Sequence, residues 1–251
     1  MSGALRAPRA IASWWRVSGL AFSKERKGVQ TDFRLFGPAH WLIIAAIPAA
    51  GLWLSGRAHR WRKWMGAGLM VNELIWYAYR LGTEGWRFPE AMPLQLCDLA
   101  LWLTVIAAFV PGKWLGEVAY FAGAGGSAQA VLTPDLWAPM LSYPTIYFFL
   151  AHGGVIAINV AFAAGGVTIL RPGCVWRALG VLNGWMLFVG AFNWVYATNY
   201  MYLCRKPASA SLLDALGPWP WYILAGEAIA AVVFWLLWMP FERKRRLAPH
   251  P

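Results

Sequence analysis

Seven long apolar stretches, separated by short polar segments, constrain the fold of this chain more than any other feature. A helix needs about 20 apolar residues to cross the hydrocarbon of a bilayer, and each stretch is close to that length. Because 59% of the residues are hydrophobic and only 13% are charged, the composition lies outside the range of soluble domains. We expect an all-α membrane protein, a bundle of seven transmembrane helices with short loops. The stretches are 37–55, 64–81, 93–111, 114–132, 143–164, 175–197 and 220–240.

The positive charge of the chain suits a membrane protein better than a nucleic-acid binder. The formal charge is +11, and the Lys and Arg residues lie between or beside the apolar stretches. Such charges are typical of loops that face lipid headgroups, so we expect membrane lipids as partners and no nucleic acid. The predicted organisation is a basic tail over 1–35, in which 11–22 resembles an interfacial helix, a transmembrane domain over 36–241 and a basic tail over 242–251.

Loop charges also predict the orientation of the chain. Seven crossings place the two termini on opposite sides of the membrane. Excluding the amino-terminal tail, most loop Lys and Arg residues fall on the side of the carboxy terminus, which predicts that this side is cytoplasmic. The basic residues of the amino-terminal tail favour the opposite orientation.

Polar side chains within the apolar stretches are candidates for function, because each one is costly in hydrocarbon unless it is paired or hydrated. When the helices are traced alternately across the membrane, most of these side chains fall in the half nearer the amino terminus. We therefore expect a polar cavity open to that side, and an ion pair or water-linked chain between Glu73 and Arg80. The set is His40, Glu73, Arg80, Gln95, Cys97, Asp98, Gln129, Asp135, His152 and Asn199. The residues of this set predicted to bind substrate there are His40, Glu73, Arg80, Gln95, Gln129 and Asn199.

Cys97 and His152 suggest acyl transfer through a thioester. A cysteine becomes a nucleophile when a histidine takes its proton, and the two residues need not be close in sequence. Asp98 or Glu73 would orient the imidazole. A small buried apolar cysteine is the alternative interpretation of Cys97. An amide would stabilise the oxyanion, and the candidates are Gln95, Gln129 and Asn199.

Two other functions fit the same residues. His40, His152, Asp98 and Glu73 together would suit a zinc-dependent lipid hydrolase, although no HxxxH or HExxH spacing is present. A polar cavity with Glu73 and Arg80 would instead suit a transporter or solute-binding protein. In the favoured thiol mechanism we expect no metal and no cofactor, and the oligomeric state stays open.

Six motifs resemble those of a known family in order and spacing. The chain is similar to the YwaF-like bacterial integral membrane proteins and, more distantly, to animal transmembrane protein 164. The similarity runs from about Phe33 to Phe241. The motifs are FGPAH (36–40), PLQLCD (93–98), LTPDL (132–136), FFLAHGG (148–154), NYMYLCRKP (199–207) and LGPWPWY (216–222).

This resemblance implies a seven-helix protein of the bacterial inner membrane. From the animal relative it implies a phospholipid-directed acyltransferase with a Cys nucleophile and a His partner. By position, Cys97 would be the nucleophile and His152 its partner. We further expect Arg205 and Lys206 to hold a lipid phosphate as charge partners, with ordinary loop charges as the alternative.

Overall fold

The computed structural model describes residues 33–110, 112–134, 136, 138–207 and 212–247. The tail over 1–32, Asp135 and residues 248–251 lie outside the described residues. Within that part of the chain the secondary structure is helical, without strands. The helices are α1 (Pro38–Ser55), α2 (Ala58–Glu84), α3 (Leu96–Phe109), α4 (Lys113–Tyr120), a π-helical turn (Phe121–Gly126), α5 (Ser127–Leu132), α6 (Tyr143–Ala164), α7 (Cys174–Tyr196) and α8 (Trp221–Leu247), with 3₁₀ turns at Tyr200–Tyr202 and Leu212–Leu216.

Local signals set several helix boundaries. Pro38 begins α1 and Pro144 lies in the first turn of α6, where the missing N–H of proline has no helical partner to lose. Gly173 precedes α7 with a φ of 77°, a left-handed conformation that suits glycine. These positions explain why the predicted stretches and the observed helices begin within a residue or two of each other here.

The expected all-α membrane protein is confirmed at the level of fold class and membrane character. Among the described residues, four helices are long and apolar enough to cross a membrane: α1, α6, α7 and the part of α8 from Trp221 to Arg243. The apolar helix α3 is shorter, with 14 residues. Large apolar side chains face outwards, as with Trp194 at 81% exposure and Leu187 at 75%. An outer surface of this kind suits lipid, and the chain is a multi-pass membrane protein.

Helix α6 lies at the centre of the bundle and positions the functional site. It contacts α1, α2, α3, α4, α5 and the π-helical turn. Val155 and Phe162 of α6 are buried in a core cluster with Leu69 of α2 and Leu101 of α3. A side chain that points inwards from the middle of α6 therefore meets several other helices.

Gly51 lets α1 approach α6 closely. We expect Gly51→Ala to lower the free energy of unfolding by about 1–3 kcal/mol, because the added methyl would lie 2.6 Å from the Ala157 carbonyl oxygen and 2.9 Å from Cβ of Val160. Denaturation in detergent micelles would measure this loss. Gly184→Ala in α7 is the matched control, since nothing lies within 4 Å of its added methyl. Equal stability of the two variants would contradict the close packing of α1 on α6.

One buried ion cluster ties α4 to the start of α7. Glu117 of α4 is fully buried, and its carboxylate accepts hydrogen bonds from the guanidinium groups of Arg171 and Arg177. The nearest nitrogen of each arginine lies 2.9 Å from Oε1. The two arginine side chains are 38% and 39% exposed, so their outer faces remain hydrated or reach headgroups. The hydropathy pattern of the sequence does not reveal this cluster.

Candidate functional site

A small cavity lies between α3, α5 and α6. Its volume is about 20 Å³, enough for about one water molecule. The three residues predicted to be catalytic all line it: Cys97 and Asp98 from α3 and His152 from α6. The packing of α3 on α6 thus brings a thiol and an imidazole that are far apart in sequence to the same cavity. The complete lining is Cys97, Asp98, Leu101, Ser127, Tyr147, Ala151, His152 and Val155.

Cys97 is the cysteine that borders this cavity. All three cysteines are free thiols. Cys174 is buried in an apolar cluster at the start of α7, and Cys204 lies in the loop after the first 3₁₀ turn. Cys97 sits in the first turn of α3, where backbone N–H groups have no carbonyl partner within the helix.

His152 is held by its own helix. Its Nδ1–H donates a hydrogen bond of 2.9 Å to the Phe148 carbonyl, one turn earlier in α6. Because a carbonyl only accepts, this bond assigns the proton of the neutral ring to Nδ1 and leaves the lone pair on Nε2. Among the described residues Nε2 has no hydrogen-bond partner. The Phe148 ring packs against the imidazole, with ring centroids 4.3 Å apart.

The imidazole is therefore not oriented by a carboxylate, and this corrects the predicted role of Asp98 and Glu73. Asp98 lines the cavity, but its Oδ2 accepts the Gln95 N–H at 2.9 Å and caps α3. Glu73 bonds to Tyr147. The Phe148 carbonyl, one turn away in the same helix, orients His152 without a carboxylate. The two carboxylates instead make the bonds to Gln95 and Tyr147.

Glu73 does not line the cavity but bonds to Tyr147, which does. It is 1% exposed, and its Oε2 accepts a hydrogen bond of 2.6 Å from the Tyr147 hydroxyl. Its Oε1 has no partner among the described residues. Tyr147 lines the cavity and stacks on Trp76, with ring centroids 4.2 Å apart. Tyr147 thus connects Glu73 to the cavity, a role that the sequence analysis did not predict.

The predicted ion pair between Glu73 and Arg80 does not form. Nη2 of Arg80 lies 2.9 Å from Glu84, and Arg87 bonds to the same carboxylate. Glu84 is one turn from Arg80 and partly exposed, so the pair forms without removing either charge from water. Arg80 therefore belongs to a surface ion cluster at the end of α2.

His40 also differs from its predicted role in substrate binding. It is fully buried, its Nδ1 accepts the Phe36 N–H at 3.0 Å, and its Nε2–H donates to the Val131 carbonyl at 2.8 Å. Nε2 thus ties α1 to α5, and Nδ1 holds the segment that precedes α1. Within the described residues, no three His, Cys, Asp or Glu side chains are arranged to hold a metal ion.

The three amides predicted to stabilise an oxyanion lie away from the cavity. Oε1 of Gln95 accepts the Met201 N–H at 2.9 Å. Gln129 is exposed in the middle of α5. Asn199 donates to the Arg205 carbonyl at 2.9 Å and accepts N–H bonds from Cys204 and Arg205. The Gln95 and Asn199 amides hold the segment after α7, because its backbone groups need partners.

The predicted lipid-phosphate ligands lie in that same segment. The Lys206 ammonium is 3.8 Å from Asp214 and 5.6 Å from the centre of the Tyr222 ring. Arg205 is exposed. Neither residue lines the cavity, and their binding of a phosphate stays a prediction.

Ser127 is a cavity residue that the sequence analysis missed. It begins α5 directly after the π-helical turn, is 1% exposed and has a hydroxyl without a partner among the described residues. A π-helical turn shifts the helical register, so the regular period of an α-helix does not predict the direction in which the Ser127 side chain points.

Comparison with known proteins identifies the family. Comparison with curated proteins and with solved structures gives no match. A family model described as the TMEM164 family matches residues 35–239, a range that includes α1 to α7, most of α8 and both Cys97 and His152. A match over this much of the chain shows membership, and the chain belongs to the TMEM164 family.

Proposed function

We propose that this protein is a membrane acyltransferase that moves phospholipid acyl chains through a thioester on Cys97. The observation that carries this proposal is the cavity that Cys97 and His152 share, because Nε2 of this imidazole has no hydrogen-bond partner among the described residues and keeps a lone pair for a proton. The resemblance of PLQLCD and FFLAHGG to motifs of animal transmembrane protein 164 favours the same two residues.

The proposed reaction has two halves that use the same pair. Cys97 passes its proton to Nε2 of His152, and the sulfur attacks the ester carbonyl carbon of a donor phospholipid. The ester C–O bond breaks, and the leaving alkoxide takes the proton from the imidazolium, so that a lysophospholipid departs. The hydroxyl of an acceptor lysolipid then gives its proton to Nε2 and attacks the thioester. The C–S bond breaks, and the proton returns to the thiolate.

A second pocket supports a lipid as the substrate. It has a volume of about 60 Å³, and Tyr147 lines both this pocket and the cavity of Cys97. A mostly apolar pocket next to a nucleophile suits part of an acyl chain better than a polar solute. The lining is Trp76, Leu136, Ala138, Pro144, Thr145, Tyr147 and Phe148.

The same proposal includes a finer topology. In addition to the four apolar helices, we propose that three segments cross the membrane: α2, the stretch containing α3, and the continuous run of α4, the π-helical turn and α5. The 27-residue length of α2 supports this. The excess of loop Lys and Arg on the carboxy-terminal side supports a cytoplasmic carboxy terminus in a bacterial inner membrane. The quoted motifs favour the YwaF-like branch of the family.

Acyl transfer in reconstituted vesicles would test the function. The vesicles would contain a phosphatidylcholine with an alkyne-tagged acyl chain and a lysophospholipid acceptor. We expect a hydroxylamine-sensitive tag on the protein and tagged product lipid, and we expect Cys97→Ala to lose both. Cys204→Ala is the matched control and should keep both, because Cys204 lies in a loop outside the cavity.

Two results would overturn this proposal. One is full lipid remodelling by Cys97→Ala. The other is solute-dependent proton flux through the protein without any covalent turnover, which would favour transport.

A further inference from the structure

We infer that the Ser127 hydroxyl is the oxyanion donor of this site, an inference that rests on the proposed acyltransferase function. Attack of the Cys97 sulfur on an ester would place negative charge on the carbonyl oxygen. A hydrogen-bond donor aimed at that oxygen lowers the barrier. The amides of Gln95 and Asn199 bond to other segments, and Gln129 is exposed, so the site needs a different donor.

Ser127 has the burial and the free donor that this role requires. Its side chain is 1% exposed, and its hydroxyl has no partner among the described residues. A buried hydroxyl without a partner is unfavourable, and this hydroxyl is on a residue that lines the cavity of Cys97 and His152. A ligand oxygen in that cavity would relieve the cost.

The π-helical turn accounts for the position of Ser127. The turn covers Phe121–Gly126 and ends directly before Ser127. It is pressed against α6, since a Cβ on Gly123 would lie 2.4 Å from Nδ2 of Asn159. It also lies against the start of α3, since a Cβ on Gly126 would lie 3.3 Å from Cδ2 of Leu96, the neighbour of Cys97 in sequence. Such turns are rare and frequently mark functional sites.

Ser127 would act without forming a covalent bond. As the C–S bond forms, the carbonyl π electrons move onto oxygen, which accepts the Ser127 O–H; the proton stays on the serine. When the ester C–O bond breaks, the electron pair returns and the carbonyl re-forms. The Ser127 hydroxyl acts in the same way in the second half of the reaction, in which the acceptor hydroxyl attacks the thioester.

Two reactions at the same thiol separate this role from a structural one. Acylation of Cys97 by a tagged phospholipid passes through an oxyanion, whereas alkylation by a lipid-tailed iodoacetamide displaces iodide directly. We expect Ser127→Ala to slow acylation by about 10²–10³-fold and to leave alkylation unchanged. Ser127→Thr keeps the hydroxyl and should acylate faster than Ser127→Ala. Ser55→Ala is the matched control, because that hydroxyl is exposed and bonds to its own helix.

Two outcomes would overturn the inference while leaving the role of Cys97 intact. One is acylation of Ser127→Ala at the wild-type rate. The other is an equal fall in acylation and alkylation, which would show that Ser127 supports the fold or the thiol. Lipid remodelling that survives Cys97→Ala would instead refute the proposed function itself.

Discussion

Replacement of His152 by alanine is expected to slow both acylation and alkylation of Cys97 by about 10²–10⁴-fold near neutral pH. Both reactions need the thiolate, and His152, which lines the cavity of Cys97, is the proposed base. The loss of both reactions distinguishes His152→Ala from Ser127→Ala, which should affect acylation alone. Time courses of tag incorporation at several pH values would measure the two rates in wild type and in each variant.

The pH dependence adds a second check on His152. At higher pH, hydroxide removes the thiol proton without help, so the difference between wild type and His152→Ala should narrow. His59→Ala is the matched control, since His59 is exposed at the start of α2 and lies outside the cavity. Unchanged alkylation in His152→Ala would contradict the assignment of the imidazole as the base.

Removal of both arginines from the Glu117 cluster is expected to cost about 3–5 kcal/mol of folding free energy. The double variant Arg171→Met with Arg177→Met leaves a carboxylate that is 0% exposed without any cation. Each single variant should lose less, because the other guanidinium still makes two bonds to the carboxylate. Unfolding in mixed detergent micelles would measure all of these differences.

A triple variant provides the control for this cluster. Adding Glu117→Met to the double variant removes the buried charge, and most of the lost stability should return, because an apolar replacement of a whole buried ion cluster is often neutral. If the triple variant is as unstable as the double variant, the loss comes from packing of the arginine side chains and not from the stranded carboxylate.

The hydropathy pattern predicted most helix positions well, and the differences have physical causes. The stretch 143–164 coincides with α6, and 175–197 is shifted by one residue from α7. Helix α2 extends beyond 64–81 to Ala58–Glu84, because charged turns at both ends are helical although they are not apolar. Helix α3 begins at Leu96, three residues after the predicted start at Pro93, because Gln95 forms its cap.

The candidate site was predictable only in part. Alternating helix direction correctly places Cys97 and His152 together, since that depends on chain order alone. It does not identify which polar groups are already used. His40 and Asn199 were also predicted to face the cavity, yet each uses its polar atoms to hold another segment of the chain. Ser127 was missed because a π-helical turn breaks the helical period just before it.

The sequence alone determined that this chain places its helices in a membrane, and it predicted that Cys97 and His152, which line one cavity, lie near each other. These properties depend on the summed hydrophobicity of each segment and on the order of the segments, and both follow directly from the sequence. Only the tertiary structure decided that Phe148 orients His152, that Glu73 bonds to Tyr147 and that the Ser127 hydroxyl is left without a partner. A hydrogen bond depends on distances of a few tenths of an ångström between separate helices, and close packing of the whole bundle sets those distances.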